Sequence, residues 1–255
     1  MRIAVVSPLH RSGISTVTAL LSLMFTWTQK VKTVTTYFGD SDIPRFNGVD
    51  PEPDLTRSIS QLAKLLQEHA IEPDLIFDYC LPLMKDNYLL DTDSGAITLQ
   101  ERADILKFVF DQVPAEFIIC DVNGELGDET TTSILDLADI IIMVVEQYTQ
   151  QYDEVKIYRE SKYWPKDKTI LYLCNMFDDK VGNLRAVSAN LGVKHTTMCK
   201  IHYNPWIRKM CEAGTILDLV KAIVTRDTRV IELNTDLKEC IGFICNTEGI
   251  KYRWE

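Results

Sequence analysis

The chain has 255 residues, 46% hydrophobic and 25% charged, with a formal net charge of −10. That is globular composition and argues against a disordered, collagen-like or solenoid chain. The longest apolar run, Ile140 to Val145, is far short of the roughly 20 residues a membrane span needs, and the acidic balance argues against a basic domain wrapping nucleic acid.

The predicted elements alternate between strand and helix. MRIAVVS (1–7) reads as a strand, PLHRSGIS as a polar turn, and Thr16 to Lys30 as an apolar helix. Pro8, His10 and Arg11 interrupt the apolar start, so no secretory leader is expected. Val31 to Phe38 is a β-branched and aromatic strand, and residues 39–54 are a loop rich in Asp, Pro and Gly. Leu55 to Ala70 has helical spacing, with Leu62, Leu65 and Leu66 on one face. DLIFDYC after Pro73 reads as a short strand, residues 82–97 as irregular, and Leu99 to Gln112 as a helix presenting Ile105, Leu106 and Val109.

EFIICDV is a continuous apolar strand, Thr130 to Leu137 a helix, and DIIIMVVE another apolar strand. Helices are expected over Glu154–Tyr163, Asn183–Leu191, Pro205–Ala213, Ile216–Ile223 and Val230–Ile244, with a strand at Thr169–Cys174. Apolar runs without in/out alternation mark strands covered on both faces. With no internal repeat or linker, residues 1–255 read as one α/β domain with a doubly wound, mostly parallel sheet. The seven cysteines are odd in number and form no CxxC. Cys120 and Cys174 sit in apolar runs, which suits buried thiols in a reducing cytoplasm.

A strand, turn and helix at the N-terminus is where α/β proteins bind phosphate. The P-loop pattern G-x-x-x-x-G-K-[ST] finds its last glycine at Gly13 and its hydroxyl at Ser15, but Pro8 replaces the first glycine and Ile14 the lysine. Other segments extend the match. FIICDVNGELGDETTTSILDLADIIIMVVE is similar to the second signature of the ParA/MinD family of partition and positioning ATPases: an apolar strand ending in Asp, a Gly-containing switch, a helix, then Ala-Asp and another strand. YLCNMFDD resembles that family's adenine-contacting strand, and IHYNPWIRKMCEAGTIL its late segment, a Pro-containing loop and a helix closed by Ala-Gly. These pieces run from residue 1 to about 220 in the family's order, so the chain resembles a divergent ParA/MinD protein with a P-loop NTPase-like fold.

The resemblance implies a site for ATP and Mg²⁺. Ser15 and Asp121 would hold the metal, and Thr16 would approach the α-phosphate. Gly13 would close the loop, Gly124 would let the switch backbone near the γ-phosphate, and Asn175 would read adenine. The charges depart from the family. Leu9 stands where its signature lysine belongs, Ile14 at the P-loop lysine, and His10 and Arg11 at two glycines; Arg11 is the candidate for a compensating charge. The catalytic aspartate of the family falls near Phe38 without gaps. A two- to four-residue insertion would bring Asp42 of the Asp40-x-Asp42 pair into place, and the other reading makes both acids turn formers beside Gly39 and Pro44. Losing the lysine removes a large electrostatic contribution, so hydrolysis is expected to be weak or absent.

The implied activity is therefore a positioning, partition or assembly scaffold that forms a homodimer and holds a protein cargo. The alternatives are an active, non-standard Mg-ATPase with a dimer switch, or a DNA-binding partition protein. The last would need Lys162, Lys166, Lys168, Arg208, Lys209, Lys221, Arg226 and Arg229 on one face, and the net charge disfavours it. His69, His195 and His202 read as surface or packing residues, and no G-x-S-x-G supports acyl hydrolysis. Tyr148 and Tyr152 would share a helical face, as would Glu154 and Tyr158, with core packing or a partner surface as the two readings. The last helix, with Ile231, Leu233, Leu237, Ile241 and Ile244, is expected to pack on the sheet. It lacks the basic face of a membrane tail.

Overall fold

The computed structural model describes residues 1–9, 12–38, 41–49, 58–92, 97–123, 126–148, 151–252 and 254. Its strands are β1 (Arg2–Ser7), β2 (Thr33–Phe38), β3 (Leu81–Met84), β4 (Asn87–Leu89), β5 (Phe117–Asn123), β6 (Ile140–Val145), β7 (Thr169–Phe177) and β8 (Met198–His202). They form one sheet in the order β3-β4-β2-β5-β1-β6-β7-β8. Every pairing is parallel except β3 with β4. The helices are α1 (Ile14–Gln29), α2 (Ile43–Phe46), α3 (Ile59–Gln67), α4 (Leu99–Gln112), α5 (Glu129–Leu137), α6 (Tyr152–Glu160), α7 (Leu184–Leu191), α8 (Pro205–Ala213), α9 (Asp218–Val224) and α10 (Ile231–Thr247).

Strand side chains point alternately to the two faces, and here both faces are covered. Ile3, Val5, Ile119, Ile140, Ile142, Val144, Leu171 and Leu173 pack with α1, α8, α9 and α10. Their neighbours Ala4, Val6, Ile118, Cys120, Ile141, Met143, Val145 and Cys174 pack with α3 to α7. This explains why the runs FIIC and IIIMVV carry no polar alternation. α1 is buried over most of its 16 residues because it lies between the sheet and an outer layer of helices.

Helix limits follow local chemistry. Thr98 and Glu101 form a reciprocal capping box at the start of α4, Asp128 caps α5 through the Thr131 amide, and Asn204 accepts from the amides of Trp206 and Ile207 at the start of α8. Gly192 and Gly214 close α7 and α8 in the left-handed conformation.

Three expectations are corrected. DLIFDYC is not a strand: Pro73–Tyr79 winds into a 3₁₀ helix, with Pro73 preset for its first turn. The stretch read as irregular holds the hairpin β3–β4, turning at Lys85-Asp86 with Asp86 at φ +64°. Its outer strand carries Pro82, which only an edge strand tolerates, beside a bulge that shifts the pairing. Tyr148 and Tyr152 do not share a helical face, since Tyr148 precedes α6 and is exposed while Tyr152 is buried. Glu154 and Tyr158 do lie one turn apart on α6; Tyr158 is a core residue packed edge-on against Trp164 at 5.3 Å, while Glu154 is exposed. The last helix does pack on the sheet through Leu233, Leu237, Ile241 and Ile244, although Ile231 is exposed. All seven cysteines are free and buried. Among the described residues no helix is long and apolar enough to cross a membrane.

Candidate functional site

β1 delivers the chain to the carboxyl edge of the sheet, where open α/β folds bind ligands. Beyond Ser7 the backbone turns into α1 through Gly13, which sits at φ +80° with its α-carbon against Asn175; a Cβ there would overlap the Asn175 amide nitrogen. Only glycine fits both demands. The Asn175 Nδ2 donates to the Ser12 carbonyl at 2.9 Å, tying the end of β7 to the loop. The first helical hydrogen bond of α1 runs from the Val17 amide to the Gly13 carbonyl. The amides of residues 14–16 are therefore free of the helix, and the positive end of its dipole faces the same space. The first turn carries no acid and no side-chain cap.

The hydroxyl of Ser12 is buried with no partner among the described residues, so the loop holds an unpaired donor. These features suit a phosphate. Residues 9 and 14 bring no cation to this space. Leu9 is buried, and Ile14 packs half-buried against the core rather than presenting a cation. Arg11 and Gly124 lie outside the described residues, as do His10, Gly39 and Asp40.

Ser15 and Asp121, read from the sequence as the metal ligands, lie side by side. Parallel pairing places Val5 beside Asp121, and the Ser15 hydroxyl donates to Asp121 Oδ2 at 2.7 Å. Ser41, just past β2, donates to the same oxygen at 2.8 Å and lies 3.3 Å from Ser15 Oγ. Asp121 is 4% exposed, and its burial pushes its pKa up to about 6; the two hydroxyl bonds pull it down, and Asp42 nearby adds to the rise. A carboxylate held at this cost with hydroxyls around it fits a hard divalent cation such as Mg²⁺. Ser15 and Asp121 would hold the ion, which would supply charge neutralisation for a phosphate.

Asp42 opens α2 with its side chain 57% exposed and paired to Arg45 at 2.9 Å. Both line the same groove, of about 1120 Å³, whose walls also include Thr16, Asn175, Tyr203, Asn204 and Arg208. The segment after α2 is pressed onto the end of α8. A Cβ at Gly48 would come within 2.6 Å of the Gly214 carbonyl, and one at Gly214 within 2.9 Å of the Gly48 α-carbon. Asp42 thus lines the groove and also precedes the first turn of α2.

The sequence reading did not single out Ser41 or Arg45, and it weighed His202 only as a surface or packing residue. Ser41 carried no signal, because its role depends on β2 pairing with β5 so that Tyr37 lies beside Asp121. His202, read as packing or surface, sits at the groove's rim between carboxylates. Burial opposes its charge, but hydrogen bonds to Asp236 and Asp179 outweigh that and raise its pKa.

No family model matches the chain, and no curated protein is similar to it in sequence. Solved structures do share its fold. A ParA family ATPase from Chlorobium tepidum superimposes with a TM-score of 0.69 at 11% identity, over 92% of this chain and 95% of that one. The septum site-determining protein MinD from Pyrococcus horikoshii, solved with Mg-ADP, gives 0.66 at 19% identity over 94% and 95%. MinD in the MinC:MinD cell division complex of Aquifex aeolicus gives 0.70 at 11% identity over 100% and 98%. The chain therefore has the α/β fold of the ParA/MinD P-loop ATPases.

Proposed function

We propose that this chain is a divergent ParA/MinD-like protein that works as a positioning, partition or assembly scaffold. In this reading it keeps a Mg²⁺–ATP groove and hydrolyses ATP weakly or not at all. One observation carries the reading: Ser15 and Asp121 meet at 2.7 Å at the start of a helix whose lysine position is the core-packed Ile14. In this reading the metal half of the site is kept, and the half that draws electrons from a phosphoryl group is lost. Such a site suits recognition better than turnover.

Homodimerisation and a protein cargo belong to the same proposal. Their support is the shared fold with MinD, which in Aquifex aeolicus is seen in a complex with MinC. Fold alone is an analogy for function, so the groove chemistry is what the test must address. DNA as a partner is disfavoured by the net charge of −10.

A second reading, an active Mg-ATPase, has one observation in its favour: Asp42 and Arg45 both face the groove. Phosphate release from Mg-ATP, measured alongside sedimentation with and without nucleotide, separates the two. The scaffold reading expects turnover well below about 1 s⁻¹, the low end of ordinary enzymes. Turnover at or above that rate, lost in Asp42→Asn, would establish the second reading instead.

A further inference from the structure

At the groove's rim, outside the phosphate and metal site described above, three elements bring four chemistry-bearing side chains together. His202 ends β8, Asp179 follows β7, and Glu232 and Asp236 lie one turn apart on α10. The His202 Nδ1 pairs with Asp236 Oδ2 at 2.9 Å, and the same oxygen receives the His202 backbone N–H at 2.8 Å. Asp236 is 3% exposed, so it holds the ring in one orientation. The other ring nitrogen, Nε2, then faces outward, 3.0 Å from Asp179 Oδ2 and 3.7 Å from Glu232 Oε1.

With Nδ1–H directed at Asp236, a neutral ring turns its Nε2 lone pair toward a carboxylate oxygen. Two acceptors at hydrogen-bond distance repel unless something positive lies between them. A proton can do this, and so can a metal ion.

The geometry favours the metal in two respects. The three ligand atoms all lie within 4.8 Å of one another. An ion bonded to N and O at roughly 2.0–2.1 Å in tetrahedral array spaces its ligands about 3.3 Å apart, between the two distances seen here. The arrangement behind the ring is also that of metal-binding histidines, whose second nitrogen is held by a carboxylate that fixes tautomer and orientation. Lys200 pairs with Asp179 through its other oxygen, Oδ1, at 3.1 Å, and leaves Oδ2 to the site. Asp179 and Glu232 are exposed, so water would complete the coordination of a bound ion.

We propose that Asp179, His202 and Glu232 form a second divalent-metal site, of the kind that takes Zn²⁺, with Asp236 as the residue that positions the imidazole. The site would join the segment after β7 to α10 beside the groove. It is independent of whether the groove binds nucleotide.

The test is titration of tag-free, metal-stripped protein with Zn²⁺ against a chelating dye at pH 8, followed by Co²⁺ and its visible spectrum. The expected result is one Zn²⁺ per chain at micromolar free metal, and the Co²⁺ absorption of a four-coordinate site. Asp179→Asn and Glu232→Gln change exposed residues and leave the fold intact, and each is expected to weaken binding at least tenfold. Asp236→Asn, which keeps an acceptor for the ring, is expected to cost about 10–100-fold. Absence of stoichiometric Zn²⁺ binding would overturn the proposal, as would binding that ignores Asp179→Asn and Glu232→Gln, since that metal would sit elsewhere, for example on cysteines.

Discussion

Ile14→Lys puts back the one charge whose loss defines the proposed activity. Ile14 is the first residue of α1, lines the groove and packs half-buried against the core. The substitution has two costs. Partial loss of apolar burial is about 1 kcal/mol, and a cation at the positive end of the helix adds roughly 0.3–1 kcal/mol. The variant without nucleotide should therefore be less stable by about 1–2 kcal/mol.

With nucleotide the balance reverses. A unit-charge pair at 4 Å is worth about 4 kcal/mol at an effective dielectric of 20, and a hydrogen bond to a charged group nets about 1.5–3 kcal/mol after desolvation. The lower figure is the safer guide and corresponds to about a 10–100-fold gain in affinity. Calorimetry of Mg-ATP binding to wild type and Ile14→Lys reads this directly, with denaturant unfolding of both free proteins as the control. An affinity unchanged within threefold in a folded variant would refute the reasoning. It would mean that the loop does not place residue 14 near phosphate, and the P-loop reading of residues 8–16 would fall.

Other predictions follow from the same geometry. Asp121→Asn should stabilise the metal-free protein at neutral pH by on the order of 2–3 kcal/mol, because burial raises the carboxyl from 3.8 to about 6. The sign follows from linkage. The raised folded-state pKa gives stability that is fully present below about pH 4 and is lost as pH rises through 6, so the wild-type and variant denaturation curves should separate across that window. Equal stability of the two at pH 7.5 would contradict the burial argument. Mg²⁺ affinity should also fall about tenfold per unit below pH 6, since the ion must displace a proton from Asp121; a flat profile by Mg²⁺ titration would exclude Asp121 as a ligand. Gly13→Ala should cost more than Gly192→Ala in urea denaturation. Both pay roughly 1–2 kcal/mol for positive φ, but only the first displaces Asn175 and its bond to Ser12, while the second meets nothing within 4 Å. Similar losses would mean that Asn175 moves freely. Asp42→Asn, which breaks an exposed pair with Arg45, should change stability by less than about 1 kcal/mol in the same assay; a larger loss would make that pair structural.

The sheet was legible because its strands are buried on both faces, and that leaves a mark in sequence: FIIC and IIIMVV have no polar alternation to confuse with a surface helix. The hairpin β3–β4 left no such mark. Its strands are short and sit at the edge, and Pro82 with the Lys85-Asp86 turn looks like loop until β2 supplies a partner for β4. DLIFDYC misled because seven residues of mixed apolar content fit a strand or a 3₁₀ helix equally well, and Pro73 decides between them. Gly13, Ser15, Asp121 and Asn175, which line one groove, stood out as candidates because they lie at strand ends and at a helix start, where residue type and position coincide. Ser41 and His202 did not. The partners of Ser41 are on α1 and β5, and those of His202 are on α10 and past β7, so neither exists until the sheet is assembled.

The central claim is that a Mg²⁺–nucleotide groove survives here without its lysine. Calorimetric titration of Mg-ATP into the wild-type chain and into Asp121→Ala tests it most directly. Weak but measurable binding that depends on Mg²⁺ and disappears in Asp121→Ala is the predicted result. No heat up to millimolar ATP, or binding that Asp121→Ala leaves intact, would contradict the claim.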